Sequence, residues 1–121
     1  MLVYWHRMGL ERESALFGNR NRTAVLLAIR LLEETYPSEL ADVLGVRLFT
    51  VQSILSSLES EGVTASRLLG TTRTVSLNPR YFAHDELSAL LWKVGLQDTA
   101  LQQRLATRRR RPRRAGKPGL L

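Results

Sequence analysis

Residues 37 to 63, PSELADVLGVRLFTVQSILSSLESEGV, carry two short apolar periods separated by a single glycine. The first period predicts a helix opening at Ser38, whose hydroxyl can accept from a free backbone N–H of the first turn, with Glu39 and Asp42 near the positive end of the helix dipole. Leu40, Ala41 and Leu44 supply its apolar stripe. Gly45 stands where a helix is commonly stopped by a residue that tolerates a left-handed conformation, and Val46 restarts an apolar pattern at once, which leaves room only for a tight turn.

The second period predicts a helix over 48 to 61. Val51, Ile54, Leu55 and Leu58 recur at three- and four-residue intervals and gather within about 100° of one face, which is the buried side. Phe49, Ser53, Ser56 and Ser60 then point the opposite way, with Gln52 and Ser57 on the flanks. That outer face is small, uncharged and hydrogen-bonding. Two short helices joined by a glycine turn, the second presenting polar side chains outward, match the helix-turn-helix unit that places its second helix in a DNA major groove. An ordinary helical hairpin in a bundle satisfies the same pattern.

Upstream, residues 1 to 14 show no clean period and read as an N-terminal arm. Asn19 or Asn21 can cap a helix whose body is TAVLLAIRLLEET, residues 23 to 35; its apolar residues nearly encircle it, as in a helix buried between two layers, and Tyr36-Pro37 ends it. Downstream of Glu61-Gly62 the composition changes. VTASRLLGTTRTVSL, residues 63 to 77, is rich in Thr and Val with Gly70 near its middle, and reads as a β-hairpin. Arg67 and Arg73 flank its turn and Thr71 and Thr72 lie near the tip, cations and hydroxyls of the kind that hold phosphate; a solvated hairpin with incidental arginines is the plainer alternative. Residues 84 to 95 form a further helix capped at His84 or Asp85 and stopped at Gly95, and Asp98 caps a last one carrying Leu101 and Leu105.

The 121-residue chain is 44% hydrophobic, enough for one domain with a modest core. It has no cysteine, and its two histidines, His6 and His84, are too few and too far apart to assemble a metal site, so no metal or cofactor is expected. No apolar run approaches the ~20 residues that span a bilayer, and the N-terminus is too short and interrupted for a signal peptide, so a soluble cytoplasmic protein is expected. The net charge of +7 is unevenly spread: residues 107 to 121 hold six Arg and Lys117 with no acid, and residues 1 to 106 balance 11 bases against 11 acids. Within that neutral body, residues 31 to 46 carry four acids and no base, while residues 63 to 84 carry Arg67, Arg73 and Arg80 and no acid, which predicts one acidic and one basic face. The self-repelling stretch from Arg108 to Leu121 reads as disordered.

The order helix, helix, glycine turn, helix, hairpin, helix resembles a winged helix-turn-helix. LFGNRNR, SELADVLGV, TVQSILSSLESEGV and VSLNPRYFA resemble segments of bacterial and archaeal transcriptional regulators of the broad arsenic-repressor-like group, and more loosely the multiple-antibiotic-resistance-regulator-like group, over roughly residues 15 to 83. The resemblance implies a dimer on operator DNA, with residues 48 to 61 as the recognition helix and residues 63 to 77 as the wing. Such proteins have Ser or Thr where this chain has Arg47, which gives up a side-chain cap and gains a phosphate-reaching charge. The metal-sensing cysteines of some of them are absent.

The fold expected is therefore mainly α with a small β-hairpin: an arm (1 to 14), a winged helix-turn-helix domain (15 to 83), C-terminal packing helices (84 to 107) and a basic tail (108 to 121). The leading function is a sequence-specific regulator binding double-stranded DNA through Arg47, Phe49, Thr50, Gln52, Ser53, Ser56, Arg67, Thr71, Thr72 and Arg73. Gln can pair with adenine, Ser with either kind of partner, and Phe can touch a thymine methyl. A recognition helix without an internal Lys or Arg predicts weak intrinsic affinity, which the tail can supplement. The other reading is a winged-helix protein-interaction module whose basic tail binds nucleic acid without specificity. No His lies near a nucleophile and no Gly-rich phosphate loop follows a strand, so an enzyme is not expected. The leucine stripes of residues 87 to 105, with Leu87, Leu90, Leu91 and Val94 on one helix and Leu101 and Leu105 on the next, exceed what one small domain covers and predict a homodimer.

Overall fold

The computed structural model describes residues 15 to 110; the predicted arm, and the predicted tail beyond Arg110, lie outside them. The described residues form five helices and a two-stranded antiparallel sheet: α1 (Arg20–Leu32), α2 (Pro37–Leu44), α3 (Leu48–Ser60), β1 (Thr64–Leu69), β2 (Thr72–Leu77), α4 (His84–Gln97) and α5 (Thr99–Arg110). Among them no helix is long and apolar enough to cross a membrane.

α1 is the central element. Asn19 caps it, its Oδ1 accepting from the Arg22 N–H at 2.8 Å, and Val25 through Ile29 are buried on every side by α2, α3, α4 and β2. It ends earlier than Tyr36-Pro37 would dictate. Glu33 turns the chain at φ 70°, ψ −52°, and the Glu34 N–H donates to the Leu32 carbonyl at 2.8 Å, which is the high-energy form of the γ-turn. The reversal delivers Thr35 to the hairpin, where it exchanges two backbone hydrogen bonds with Val75, 3.0 and 2.7 Å long. A non-glycine residue in such a conformation costs about 1–3 kcal/mol, and among the described residues the exposed Glu33 side chain forms no hydrogen bond that offsets it. Glu33→Gly is therefore expected to raise stability by ~1 kcal/mol after the entropic cost of glycine, seen as a higher urea midpoint at unchanged slope.

Proline displaces serine at the start of α2. Tyr36 occupies the N-cap without a side-chain bond and Pro37 the first helical position, where its fixed φ suits the helix and its missing N–H costs nothing, so Ser38 lies one position too far in to cap. The Thr35 hydroxyl instead donates to Glu39 Oε1 at 2.5 Å. Gly45 ends α2 in the predicted left-handed conformation, φ 67° and ψ 32°, and Val46 donates back to the Ala41 carbonyl at 3.1 Å.

The hairpin pairs Thr64 with Leu77 through Leu69 with Thr72, leaving Gly70 and Thr71 as the turn. Gly70 takes φ 65° while Thr71 stays at negative φ, the pattern of a II′ turn. α4 has no side-chain cap from His84 or Asp85, which lie in its first turn behind Ala83. Nor does Gly95 stop it: the glycine is buried inside the helix, where a Cβ would sit 3.2 Å from Leu31 Cδ1, so its small size lets α4 close on α1. Asp98 caps α5 as predicted, accepting from the Leu101 N–H at 3.0 Å.

The leucine stripes divide. Leu91, Leu101 and Leu105 are buried within the chain, Leu87 and Val94 are half-buried against the same core, and Leu90 is exposed. α5 continues three residues past the predicted start of the tail because Arg108 is clasped by α2, its Nε 3.2 Å from Glu39 Oε2 and its Nη1 2.5 Å from Asp42 Oδ2. Partial burial opposes the Arg108 charge, but the hydrogen bond to Glu39 and the fields of Glu39, Tyr36 and Asp42 outweigh it and raise its pKa above the ordinary arginine value.

Candidate nucleic-acid interface

α3 is held from behind by Val51, Leu55 and Leu58, all essentially inaccessible, with Ile54 half-buried beside them. Because side chains on a helix advance by about 100° per residue, anchoring these positions turns Phe49, Gln52, Ser53 and Ser56 to solvent. Phe49 is 74% exposed, so it does not fold back onto α2, and Leu48 is exposed beside it. Thr50 is half-buried. Gln52, Ser53 and Ser56 make no side-chain hydrogen bond among the described residues, whereas Ser57 Oγ accepts from Arg22 Nη1 at 3.1 Å and Ser60 Oγ donates back to the Ser57 carbonyl. The outer face of α3 therefore divides into a free stretch through Ser56 and a last turn whose hydroxyls are occupied.

The same division holds for charge. Arg47, immediately before α3, is exposed and forms no ion pair among the described residues. Glu59 and Glu61, at the other end, are both engaged: Glu59 Oε2 lies 2.7 Å from Arg73 Nη2 and also accepts from the Ser66 hydroxyl, and Glu61 Oε1 lies 3.5 Å from Arg22 Nη2. The free half of the face is thus neutral apart from one cation at its start.

The hairpin stands beside the end of α3. Its register places Arg67 opposite Thr74 and Arg73 opposite Leu68, adjacent rungs, so the two arginines project from opposite faces. Arg73 turns toward α3, bonding Ser66 and Glu59, and Arg67 turns toward the loop after α1, with Nε and Nη2 3.2 and 3.1 Å from Glu34 Oε2. The predicted pair of phosphate-holding cations is split, and a phosphate would have to compete with Glu34 and Glu59 for them. Thr71 and Thr72 are exposed at the tip as predicted. The acidic and basic segments do not form separate faces, since Arg67 and Arg108 cross to the acids of residues 34 to 42. Two further features escaped the sequence reading. Leu68 and Leu69 are exposed near the hairpin tip, where consecutive leucines break any alternation that would assign them a face, and Arg22 reaches across 39 residues to the end of α3.

Comparison of the chain with protein-family models, with curated proteins and with solved structures finds no match.

Proposed function

We propose that the chain is a winged helix-turn-helix protein that binds double-stranded DNA sequence-specifically and regulates transcription, with α3 in the major groove and the hairpin against the phosphate backbone. The observation that carries this reading is the row Phe49, Gln52, Ser53 and Ser56: exposed, uncharged side chains, three of them with free hydrogen-bonding groups, on a helix whose other side is locked into the core. Base edges are read by such groups when they are held rigidly, and a neutral helix face meets no electrostatic barrier in the groove. The ion pairs on Glu59, in the last turn of α3, and on Glu61, just after it, offset the two negative charges at that end that phosphate would repel.

Arg47 is the cation best placed to contact phosphate, because it alone among the named arginines of the interface is not already paired. Arg47→Ala is expected to weaken binding to all duplexes alike and to reduce the dependence of log affinity on log salt by about one phosphate contact's worth. Enrichment of duplexes from a random pool, followed by a mobility-shift assay with unrelated competitor, tests the proposal as a whole. A protein-interaction module is the second reading, favoured by the exposure of Phe49 and Leu48 together and by the internal pairing of both wing arginines. An unenriched pool with salt-independent binding to a protein ligand selects that reading.

A further inference from the structure

Between α1, β2 and α4 lies an open cleft of about 290 Å³, close to the lower end of the about 300 to 1,000 Å³ that ligand clefts occupy. Ile29 and Leu77, both buried, are its apolar lining, and the rest is polar. Arg30 is fixed in place there. Its guanidinium carbon stands 4.9 Å from the centre of the Trp92 ring, and its Nε donates to the Ser88 carbonyl at 3.1 Å. Both Nη nitrogens are left without a partner among the described residues, on a planar group whose stacking and one hydrogen bond already restrict its freedom.

Glu33 lines the same cleft. It follows Arg30 by three positions, yet the two opposite charges form no ion pair with each other. Stacking on Trp92 holds the cation, and the positive-φ turn at Glu33 holds the carboxylate. Strained backbone of this kind clusters at ligand clamps and other functional sites. His84 adds an acceptor: its Nδ1 lies 2.9 Å from Asp85 Oδ1, so in the neutral imidazole Nδ1–H donates to that carboxylate and Nε2 keeps its lone pair. The half-buried hydroxyls of Ser76 and Ser88 also line the cleft and bond nothing among the described residues.

We infer that this cleft binds a free α-amino acid, its carboxylate on the two Nη nitrogens of Arg30 and its ammonium between Glu33 and His84. One cation and one carboxylate held apart are complementary to a ligand that carries both charges. A phosphate or other dianion is disfavoured by Glu33, and a simple amine by Arg30. No residue of α3 lines the cleft, and the inference does not rest on the DNA reading. Glu33→Gly, expected above to raise stability, should at the same time abolish binding, because it removes the carboxylate.

Thermal unfolding of the full chain with each of the common amino acids at up to about 10 mM should reveal at least one that raises the midpoint with concentration, because a ligand of the native state stabilises it by mass action. Calorimetric titration then compares that amino acid with its N-acetyl and carboxamide forms, each lacking one charge, and both should bind at least about tenfold more weakly. Glu33→Gln and Arg30→Gln should each weaken binding of the amino acid by a similar factor. Glu33→Gln alters only an exposed side chain, so it separates loss of ligand from loss of fold, and far-UV circular dichroism checks both variants. A midpoint that no amino acid moves, an acetylated or amidated form that binds as well as its parent, or a Glu33→Gln chain that binds unchanged would each overturn the inference.

Discussion

Leu55→Ala is expected to lower the stability of the fold by about 2–5 kcal/mol, the largest effect of any change considered. Leu55 is fully inaccessible and sits between Val51 and Leu58 on the side of α3 that packs on α1, α2 and β1. Truncation removes its transfer free energy and leaves a cavity that the close-packed surroundings fill only in part. Equilibrium urea unfolding should show a lower midpoint with an unchanged slope. Ser56→Ala, one position along and fully on the outer face, should stay within about 0.5 kcal/mol of the parent. A small loss at Leu55 would mean that α3 is not anchored from that side, and the outward direction of Phe49, Gln52 and Ser53 would lose its basis.

Much of this arrangement is legible in the sequence, for a physical reason. Helix period, glycine tolerance of positive φ and strand alternation are local, and they place α2, Gly45, α3 and the hairpin to within a residue or two. What escapes local reading is set by partners distant in sequence. The early end of α1 follows from Thr35 pairing with Val75, 40 residues on, and a Glu in a strained γ-turn carries no sequence signal of its own. Gly95 resembles a helix stop, yet it is buried inside α4, where Leu31 packs so closely that a Cβ would sit 3.2 Å from its Cδ1. Arg67 and Arg73 look alike on either side of a turn, and only the register sends one toward Glu34 and the other toward Glu59. Arg108 opens a basic run, but two acids of α2 keep it helical. The exposed residues of α3 were named correctly from periodicity alone, whereas which of their hydroxyls remain free depended on Arg22, far upstream.

Gln52→Ala is expected to cost ~1 to 3 kcal/mol on the preferred duplex, roughly five- to 150-fold in affinity, and to relax preference at one base pair. Gln52 is exposed with no side-chain hydrogen bond among the described residues, so its removal should leave stability nearly unchanged and the loss would belong to readout. Because the side chain is uncharged, the salt dependence should not move, in contrast to Arg47→Ala, which should lower affinity for specific and random duplexes together. The two variants therefore separate base reading on α3 from phosphate holding at the residue that precedes it.

The most direct measurement compares the parent and Gln52→Ala on a duplex enriched from a random pool and on an unrelated duplex, across a salt series. A strong preference by the parent, a loss of most of that preference in the variant, and parallel salt slopes for the two proteins are expected. A pool that yields no preferred duplex, or a variant that keeps the full preference of the parent, would contradict the claim that the outer face of α3 reads DNA.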